Sequence, residues 1–486
     1  MFESVELGRK LDKESYDNEV LQIRTRLLEL QQQLQQSGIP VLIIISGAEG
    51  AGKGETINKL NAWMDPRGID THAFWDESDE ERERPFFWRF WRKLPARGTM
   101  GIFFGSWYTN LIIDRVYKKI SDKEAEMLCR KINQHEQMLV LDGMLVVKFW
   151  FHLSGDEQKE AIRKIKKTGK KLSLQEKKYV KIFRKFRTVS EDIIRLTDTA
   201  VSPWNLIEAQ DRRYREVATG KILLGLFEDR LRNAGIGDQQ DLPSPSLPEQ
   251  KTILDTVDLG QKLDEQTYVD ELEKYKTLLN HLSWKARKKG KSVILLFEGW
   301  DAAGKGSSIR RVTQSLDARL YRVIQFAAPT DEEKTQHYLW RFWRQIPRAG
   351  YITIYDRSWY GRVLVERVEG FANVREWSRA YHEINSFEEQ LYESATILIK
   401  FWIHIDAEEQ LRRFKQREQI PWKRYKISEE DWRNREKWHE YEIAVHDMIA
   451  KTSTASNPWS LVAGNDKKFA RVEILKTICH KLEMEL

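Results

Sequence analysis

Residues 299–306 read Gly299-Trp-Asp-Ala-Ala-Gly-Lys-Gly306 and follow the apolar run Val293–Phe297. This glycine and lysine spacing is typical of a phosphate-binding loop, in which backbone N–H groups converge on phosphate oxygens and glycines permit the close approach. The predicted helix that follows adds a favourable dipole, and Lys305 adds a positive charge. An apolar strand before the loop and a helical pattern after it are the context that this motif requires.

A second version of the loop, Gly47-Ala-Glu-Gly-Ala-Gly-Lys53-Gly, stands 252 residues earlier, since 305 − 53 = 252. The same register relates Trp88–Arg92 to Trp340–Arg344, which both read Trp-Arg-Phe-Trp-Arg, and it relates Lys148-Phe-Trp150 to Lys400-Phe-Trp402. Two loops in register, each after an apolar strand, make a chance match negligible. We therefore predict two copies of one phosphate-binding domain.

The predicted domain boundaries follow from length and composition. A chain of 486 residues exceeds the size at which a single hydrophobic core stops growing. A stretch rich in Pro, Gly, Ser and Gln at 236–250 is typical of a linker. We predict an N-terminal domain at 1–235 and a C-terminal domain at 251–486.

Each copy is predicted to have an α/β fold. A long polar helix opens each copy, at Lys13–Gln36 and Glu265–Lys289, and the strand and glycine loop follow. Further predicted strands are Gly101–Phe104 and Leu145–His152 in the first copy, and Ile352–Tyr355 and Ile397–His404 in the second. Near-continuous apolar strands that alternate with helices indicate a parallel sheet with helices on both faces.

Composition also limits the class of protein. The two cysteines, Cys129 and Cys479, lie at unrelated positions, so we expect no disulfide framework, no metal cluster and a reducing, cytoplasmic location. The residues after Met1 lack the basic and apolar regions of a signal peptide. Apolar runs are strand-length, well short of the roughly 20 residues that span a bilayer. We therefore expect a soluble protein that does not bind membranes.

The net charge of +7 is concentrated in one place. The run Arg163–Arg187 is dense in lysine and arginine and contains a single acid, Glu176. Such density attracts polyanions, although a solvated helix face is the plainer interpretation. The sequence holds no zinc-finger, RNP or helix-turn-helix pattern, so a polyanionic substrate is favoured over nucleic acid.

Asp356 and Arg357 follow the predicted strand Ile352–Tyr355, so both should lie at its carboxyl end beside the loop. An aspartate there can hold Mg²⁺ directly or through water, and an arginine can fork onto phosphate oxygens. The alternative is a surface pair that caps the next helix. The first copy argues against this alternative, because Phe104-Gly105 keeps the strand and discards both charges.

The loop departs from the usual pattern at Gly306, where a Ser or Thr normally binds Mg²⁺. Ser307 is one substitute, but the carboxylates of Asp301 and Asp356 are stronger candidates as metal ligands. The first copy has Glu49 in place of Asp301, which points to the C-terminal copy as the working site. A purely structural role for Asp301 remains an alternative.

Three weaker features leave alternatives open. Trp340–Arg344 suits either a phosphate channel wall or a core-facing aromatic helix with surface arginines. Asn457-Pro-Trp459 suits either a nucleobase pocket or a turn that packs the tryptophan into the core. His152 and His404 stand at matched strand ends without metal-ligand spacing, and we assign them no catalytic role.

Four motifs together resemble those of the family-2 polyphosphate kinases: Gly299–Gly306, Trp340–Arg344, Asp356-Arg-Ser-Trp-Tyr-Gly-Arg362 and Asn457-Pro-Trp459. The fused two-copy arrangement resembles the class II members, which are polyphosphate:AMP phosphotransferases. The resemblance covers nearly the whole chain. It implies a thymidylate-kinase-like P-loop fold with a helical lid, dependence on Mg²⁺ with Mn²⁺ as a substitute, and transfer of a terminal phosphate from inorganic polyphosphate to AMP, giving ADP.

The motifs and this resemblance define an expected site in the C-terminal copy, with a degenerate N-terminal copy. The expected catalytic residues are Asp301, Lys305, Asp356 and Arg357, with Asp301 and Asp356 as metal ligands. Residues expected to bind phosphate or substrate are Gly299, Gly304, Gly306, Ser307, Arg344, Arg362 and Lys423.

Three rival functions remain at this point: a polyphosphate:ADP phosphotransferase, an ATP-dependent nucleotide kinase and a non-catalytic phosphate-binding scaffold. The retained charges of the C-terminal copy argue against the scaffold. The choice between AMP and ADP as acceptor, and assembly into a homo-oligomer, are left open.

Overall fold

The computed structural model describes residues 1–167, 182–233, 252–420 and 429–486. The predicted linker at 236–250, Lys423 and most of the basic run lie outside these ranges. The chain divides into two compact units. The first comprises Met1–Glu77, Arg89–Gln240 and Thr335–His337, and the second comprises Ser78–Trp88, Asp241–Lys334 and Tyr338–Leu486.

Each unit contains a five-stranded parallel sheet, which confirms the predicted fold class. In the first, the spatial order is β2-β3-β1-β4-β5, with β1 at Val41–Gly47, β2 at Ile69–Ala73, β3 at Met100–Phe104, β4 at Leu145–His152 and β5 at Trp204–Glu208. In the second, the order is β7-β8-β6-β9-β10, with β6 at Val293–Gly299, β7 at Tyr321–Gln325, β8 at Ile352–Asp356, β9 at Ile397–His404 and β10 at Trp459–Ala463.

The glycine loop of each unit directly follows the central strand of the sheet. In β6, Phe297 pairs with Asp356 of β8, and Gly299 pairs with Ile403 of β9. The loop therefore emerges between the carboxyl ends of two neighbouring strands, where open α/β sheets bind their ligands. β6 and β9 are buried almost throughout, which explains their near-continuous apolar sequence.

The structure contains the two predicted opening helices. Lys13–Gln36 and Glu265–Lys288 each begin after an aspartate that accepts a backbone N–H bond. The other helices of eight residues or more are Lys53–Trp63, Trp107–Val116, Asp122–Leu141, Gly155–Lys167, Phe183–Thr197, Arg212–Arg232, Lys305–Thr313, Val374–Glu393, Ala407–Gln419, Glu429–Glu436, Trp438–Thr452 and Lys467–Glu485. Shorter helical segments are Phe2–Val5, Pro66–Gly68, Asp79–Arg82, Trp88–Trp91, Ile253–Thr256, Asp331–Lys334, Trp340–Trp343, Trp359–Arg362 and Val365–Val368.

Four strands were not predicted, namely β2, β5, β7 and β10. All have five residues, and each lies at the edge of its sheet. In β2 and β7 most side chains are partly or fully exposed. Such strands lack the continuous apolar run on which the prediction depended.

A buried lysine explains the repeated Lys-Phe-Trp motif. Lys400 Nζ donates to Glu388 Oε2 at 2.7 Å, to the Tyr360 hydroxyl at 3.0 Å and to the Thr452 carbonyl at 2.8 Å. Trp359 Nε1 donates to the same carboxylate at 3.0 Å. Burial lowers the pKa of Lys400, and the ion pair with Glu388 opposes this shift. Removing one partner of such a pair typically costs about 3–5 kcal/mol.

This network fixes the segment that follows Arg357. Trp459 packs edge-on against Tyr360 and below the Lys400 ammonium, and its indole donates to Thr452 Oγ1. The Asn457-Pro-Trp459 motif therefore supplies a core tryptophan. The first unit repeats the arrangement with Lys148 and Glu136. Within the described residues, no helix is both long and apolar enough to cross a membrane.

Candidate active site

A cavity of about 90 Å³ opens beside the loop after β6 in the second unit. It brings together three of the four predicted catalytic residues, Asp301, Lys305 and Arg357. Its lining also includes polar side chains that sequence reasoning missed: Glu298, Gln410, Glu430, Asn434 and Tyr441. Both signs of charge therefore meet at the carboxyl edge of the sheet.

The loop backbone requires glycine at two of the predicted positions. Gly299 has φ +149°, and a Cβ there would lie 2.5 Å from the Ile403 carbonyl oxygen of β9. Gly304 has φ +118° and immediately precedes the helix Lys305–Thr313. At Gly306, by contrast, a Cβ would meet no described atom within 4 Å. Packing against the described residues therefore does not demand a glycine at this position.

Lys305 and its counterpart Lys53 differ in one hydrogen bond. Lys305 Nζ donates to the carbonyls of Gly299 at 2.6 Å and Trp300 at 3.1 Å. Lys53 Nζ donates to the two equivalent carbonyls and also to Glu49 Oε1 at 3.1 Å. An ammonium has three N–H donors. Glu49 thus gives Lys53 an internal counter-charge and engages its third N–H.

Asp301 occupies the position of Glu49 but has a different partner. Asn434 Nδ2 donates to Asp301 Oδ2 at 2.9 Å, and Tyr441 donates its hydroxyl to Asn434 Oδ1 at 3.1 Å. These contacts orient the Asp301 carboxylate from the helices Glu429–Glu436 and Trp438–Thr452. Among the described residues, Lys305 Nζ therefore makes two hydrogen bonds where Lys53 Nζ makes three.

Glu298 is a buried carboxyl at the end of β6, where the first copy has Ser46. Ser358 donates its hydroxyl to Glu298 Oε1 at 2.7 Å. Burial raises the pKa of Glu298, and the Ser358 hydrogen bond and the nearby Lys305 charge oppose the shift. The difference between the two copies at this position could have identified Glu298 from the sequence.

Arg357 adopts a left-handed backbone conformation, with φ +67°. Its counterpart Gly105 has φ +78°. The left-handed region costs a residue with a side chain about 1–2 kcal/mol, and such strain tends to persist at functional sites. The Arg357 guanidinium lies 3.7 Å from Glu430 Oε1 at the cavity. The first copy keeps the turn without the strain and without the charge.

The other predicted residues have different surroundings. Asp356 ends β8 beside Phe297 and lies outside the cavity lining. Arg344 lies 3.4 Å from Glu332 and over the Trp340 ring, while Arg362 lies 3.2 Å from Glu366. The structure does not bring Arg344 or Arg362 into the cavity lining. Ser307 donates its hydroxyl to the Gly304 carbonyl at 2.9 Å.

The acidic side chains do not form a compact metal cage. In the described ranges, no group of three or more His, Cys, Asp or Glu side chains is placed to hold a metal ion. The carboxyl groups of Asp301, Glu298 and Glu430 line the cavity, and Asp356 ends the neighbouring strand β8 just outside this lining. Mg²⁺ is commonly held by one or two carboxylates together with substrate phosphates and water. The donors present fit an ion that binds with its substrate.

His404 supports the loop through Trp300. The Trp300 indole donates to His404 Nδ1 at 3.0 Å and stacks on Trp438 with ring centroids 3.8 Å apart. Burial lowers the pKa of His404 to about 4. His404 is therefore a neutral hydrogen-bond acceptor near pH 7.

The equivalent cavity of the first unit has a different chemistry. It has a volume of about 190 Å³ and retains Gly47, Glu49 and Lys53. At the positions of the charged residues Glu298 and Arg357, the first unit has Ser46 and Gly105. Other lining residues of the first cavity are apolar or aromatic, among them Phe74, Trp75, Phe104, Ile112, Ile113 and Trp150. The glycine loop is kept, whereas these two charged groups are not.

The strained backbone at Arg357 predicts that two substitutions at this position differ in stability. Arg357→Gly and Arg357→Ala both remove the charge, and only the glycine variant relaxes the backbone. We expect Arg357→Gly to be more stable than Arg357→Ala by about 0.5–1 kcal/mol, after the entropy of glycine in the unfolded chain is subtracted. This corresponds to a melting temperature about 1–4 °C higher, measured by differential scanning calorimetry.

Ala395 provides a matched control, because it also has a left-handed backbone, with φ +61°, and lies outside the cavity lining. Ala395→Gly should raise the melting temperature by a similar amount with full activity. Equal melting temperatures of Arg357→Gly and Arg357→Ala would contradict the assignment of strain.

The depressed pKa of His404 predicts a loss of stability in acid. The unfolded histidine has a pKa near 6.5, so the unfolded chain binds this proton first as the pH falls. The contribution of His404 to the free energy of unfolding is therefore fully present above pH 6.5. It falls by up to about 3 kcal/mol as the pH drops towards 4. His404→Gln keeps an acceptor for Trp300 without titrating, so its melting temperature should fall less over this range than that of the wild type. His480→Gln, at an exposed position, controls for the loss of a histidine. If the melting temperature depends on pH in the same way in the wild type and both variants, the depressed pKa of His404 is refuted.

The chain resembles known proteins over its whole length. The sequence profile of the polyphosphate kinase 2 (PPK2) family matches residues 10–234 and 262–486. A polyphosphate:AMP phosphotransferase of Pseudomonas aeruginosa is 47% identical over 99% of this chain and 99% of its own, and one of Pseudomonas syringae pv. tomato is 44% identical over 99% and 98%. A crystal structure described as a polyphosphate kinase 2 from P. aeruginosa PA01 is 46% identical, covers 100% of this chain and 99% of its own, and superposes with a TM-score of 0.90. The resemblance inferred from the motifs is confirmed: the chain belongs to the polyphosphate kinase 2 family.

Proposed function

We propose that this chain is a polyphosphate:AMP phosphotransferase, which moves the terminal phosphate of inorganic polyphosphate to AMP and gives ADP. We further propose that the C-terminal copy carries out the reaction in the cytoplasm. The family and the name shared by its full-length relatives support the donor and the acceptor. The observation that supports the C-terminal copy is the cavity in which Asp301, Lys305 and Arg357 meet.

The residues of this cavity promote phosphoryl transfer chiefly by neutralising charge and by positioning the reacting phosphates. Phosphoryl transfer passes through a loose transition state, so neutralisation of the phosphate oxygens contributes more than covalent chemistry. Lys305 Nζ makes two hydrogen bonds within the part of the chain that the structure describes, so its third N–H can serve a phosphoryl oxygen, and Arg357 adds a second cation at the cavity. The backbone N–H groups at the start of the helix Lys305–Thr313 add further donors.

The acceptor needs little activation. A phosphate monoester has a second pKa near 6, so AMP is mostly dianionic at pH 7 and attacks without a strong general base. Asp301 is held by Asn434 and is placed to position the acceptor or the metal ion. The helix that carries Asn434 also carries Glu430, which faces Arg357. The site is therefore assembled from the loop and from the helix Glu429–Glu436.

Asp301 and Asp356 are the residues that would hold Mg²⁺, or Mn²⁺ in its place. When bound, the ion supplies positive charge to the oxygens of the donor and transferring phosphates. Asp356 adjoins Phe297 of β6, two residues before the loop begins. The N-terminal copy is proposed to be catalytically inactive because Lys53 is engaged by Glu49, and Phe104 and Gly105 replace the second carboxylate and the arginine.

The function and its location are tested together in an assay with AMP, Mg²⁺ and polyphosphate in the absence of ATP, followed by chromatography of the nucleotides. We expect ADP to form. Lys305→Ala should lower kcat about 10²–10³-fold, since one charge is lost from a water-excluded phosphoryl site. Lys53→Ala, the matched control, should keep most of the activity.

The rival functions give different results in this assay. An ATP-dependent nucleotide kinase gives ADP only when ATP is added, a polyphosphate:ADP phosphotransferase requires ADP as the acceptor, and a scaffold is inactive throughout. Equal losses from Lys305→Ala and Lys53→Ala would contradict the placement in the C-terminal copy.

The metal assignment of Asp356 is tested with Asp356→Asn, which removes the charge and keeps the size of the side chain. We expect a severe loss of kcat and a higher Mg²⁺ concentration for half-maximal activity, because a hard oxygen ligand has been weakened. Activity is measured against Mg²⁺ from micromolar to tens of millimolar at several pH values. A variant whose activity is insensitive to Mg²⁺ but recovers at high pH would identify Asp356 as a general base instead.

A further inference from the structure

A buried arginine holds the phosphate loop of the second unit from behind. Arg413, on the helix Ala407–Gln419, is only 2% exposed. Its Nη1 donates to the carbonyls of Ala302 at 2.9 Å and Ala303 at 2.8 Å. Its Nη2 donates to the carbonyls of Gly464 at 2.6 Å and Asn465 at 3.0 Å, and its Nε donates to Glu409. One guanidinium therefore ties the loop to the segment after β10.

In the first unit an arginine from another helix lies against the glycine loop, without a hydrogen bond to the loop carbonyls among its contacts in the described residues. Arg215, on the helix Arg212–Arg232, is 3% exposed. Its Nη1 donates to the Ala209 carbonyl at 3.1 Å, which is the segment after β5. Its guanidinium lies across Gly52 so closely that a Cβ there would be 2.2 Å from Cζ. It also donates to Glu55 at 2.9 Å and to Thr56 at 3.2 Å in the helix after the loop.

The two arginines are not equivalent in sequence. Arg413 corresponds to Ala161, since 413 − 252 = 161 and the same offset relates the strands β4 and β9. Arg215 corresponds to Ala470, since 215 + 255 = 470 and 255 relates the capping residues Asp211 and Asp466 of the two last helices. Each copy thus has one arginine and one alanine, in opposite places.

The two guanidinium groups nevertheless reach the same place. Arg413 binds the carbonyl of Gly464, and Arg215 binds that of Ala209, which is the equivalent residue because 209 + 255 = 464. Ala161 also lies at its loop, 3.2 Å from a Cβ built on Gly50. The fold therefore accepts an arginine behind the loop from either helix.

The contacts of Arg413 have a consequence for the ligand face of the loop. A trans peptide is planar, with its C=O and N–H pointing in opposite directions. The Ala303 carbonyl points to Arg413, so the Gly304 N–H points to the opposite face of the loop. The Ala302 carbonyl is fixed in the same way, and the Ala303 N–H closes the turn onto the Trp300 carbonyl at 3.1 Å.

We propose that Arg413 is a positioning residue for phosphoryl transfer, which orients the loop 299–306 and whose task an arginine at position 470 can take over. The proposal rests on the proposed function of the C-terminal copy. All five N–H donors of the guanidinium are used, whereas a lysine has only three. Lysine therefore cannot replace this arginine.

The test compares Arg413→Ala, Arg413→Lys and the double variant Arg413→Ala/Ala470→Arg in the full-length protein. We expect Arg413→Ala to lower kcat about 10²-fold, as for a small misplacement of reacting groups. Arg413→Lys should remain impaired, and the double variant should recover at least tenfold of the loss. Hydrogen exchange of peptides covering 299–308, measured without substrate, should be faster in the first two variants and restored in the double variant.

Arg215→Ala is the matched control in the other copy. It should speed hydrogen exchange in peptides covering 47–56 and lower the melting temperature, with kcat unchanged. Because exchange is measured without substrate, it tests the effect of Arg413 on the loop 299–306 independently of activity. A wild type without polyphosphate:AMP activity would refute only the proposed function.

Three results would overturn the proposal. The first is unchanged exchange in 299–308 upon Arg413→Ala. The second is a folded Arg413→Ala variant with wild-type kcat, because Arg413 would then serve stability only. The third is a double variant that does not fold, or that folds without restoring either kcat or exchange, because the two positions would then not be interchangeable.

Discussion

The phosphate loop of the C-terminal copy depends on the close approach of Gly299 to the backbone of β9. A Cβ at this position would lie 2.5 Å from the Ile403 carbonyl oxygen. This contact turns the chain out of the sheet at a fixed point between β8 and β9. Lys305 then donates to the carbonyls of Gly299 and Trp300 at the start of the loop, and Arg413 donates to the carbonyls of the next residues, Ala302 and Ala303. The orientation of the N–H donors towards a phosphate follows from these contacts.

The duplication separates what the fold requires from what the chemistry requires. At four of the positions that have a left-handed backbone in both copies, one copy has glycine and the other has a different residue: the pairs are Lys118 and Gly370, Gly50 and Ala302, Gly105 and Arg357, and Gly143 and Ala395. The backbone is therefore kept while the residue changes. Because Lys118 belongs to the first copy, strain alone does not mark a working site. At Arg357 the strained residue also carries a charge to the cavity, and this combination supports a catalytic role.

Sequence was sufficient for the parts of the fold that have a local signature. The loops, the central strands and the opening helices were predicted because glycine spacing, continuous apolar runs and helical periodicity are properties of short segments. The edge strands β2 and β7 were missed because their side chains are largely exposed.

The candidate site was predicted less completely. Asn434 reaches Asp301 from 133 residues away, and Arg413 reaches the loop from 111 residues away, so no local pattern indicates either contact. Arg344 and Arg362 had the right chemistry for phosphate, but motif spacing gave no information on side-chain direction, and both lie near glutamates outside the cavity lining. Lys423 lies outside the described residues. Glu298 was within reach of sequence reasoning, because Ser46 replaces it in the other copy.

The central claim is that the loop at 299–306 receives the phosphoryl group, whereas Glu49 occupies the equivalent position in the loop at 47–54. The most direct test is a crystal structure of the wild-type protein with tripolyphosphate, AMP and Mg²⁺, in which phosphate density at the two loops is compared. Our account predicts phosphate against Lys305 and an intact contact between Glu49 and Lys53. Phosphate bound at Lys53 with Glu49 displaced, and none at Lys305, would contradict it.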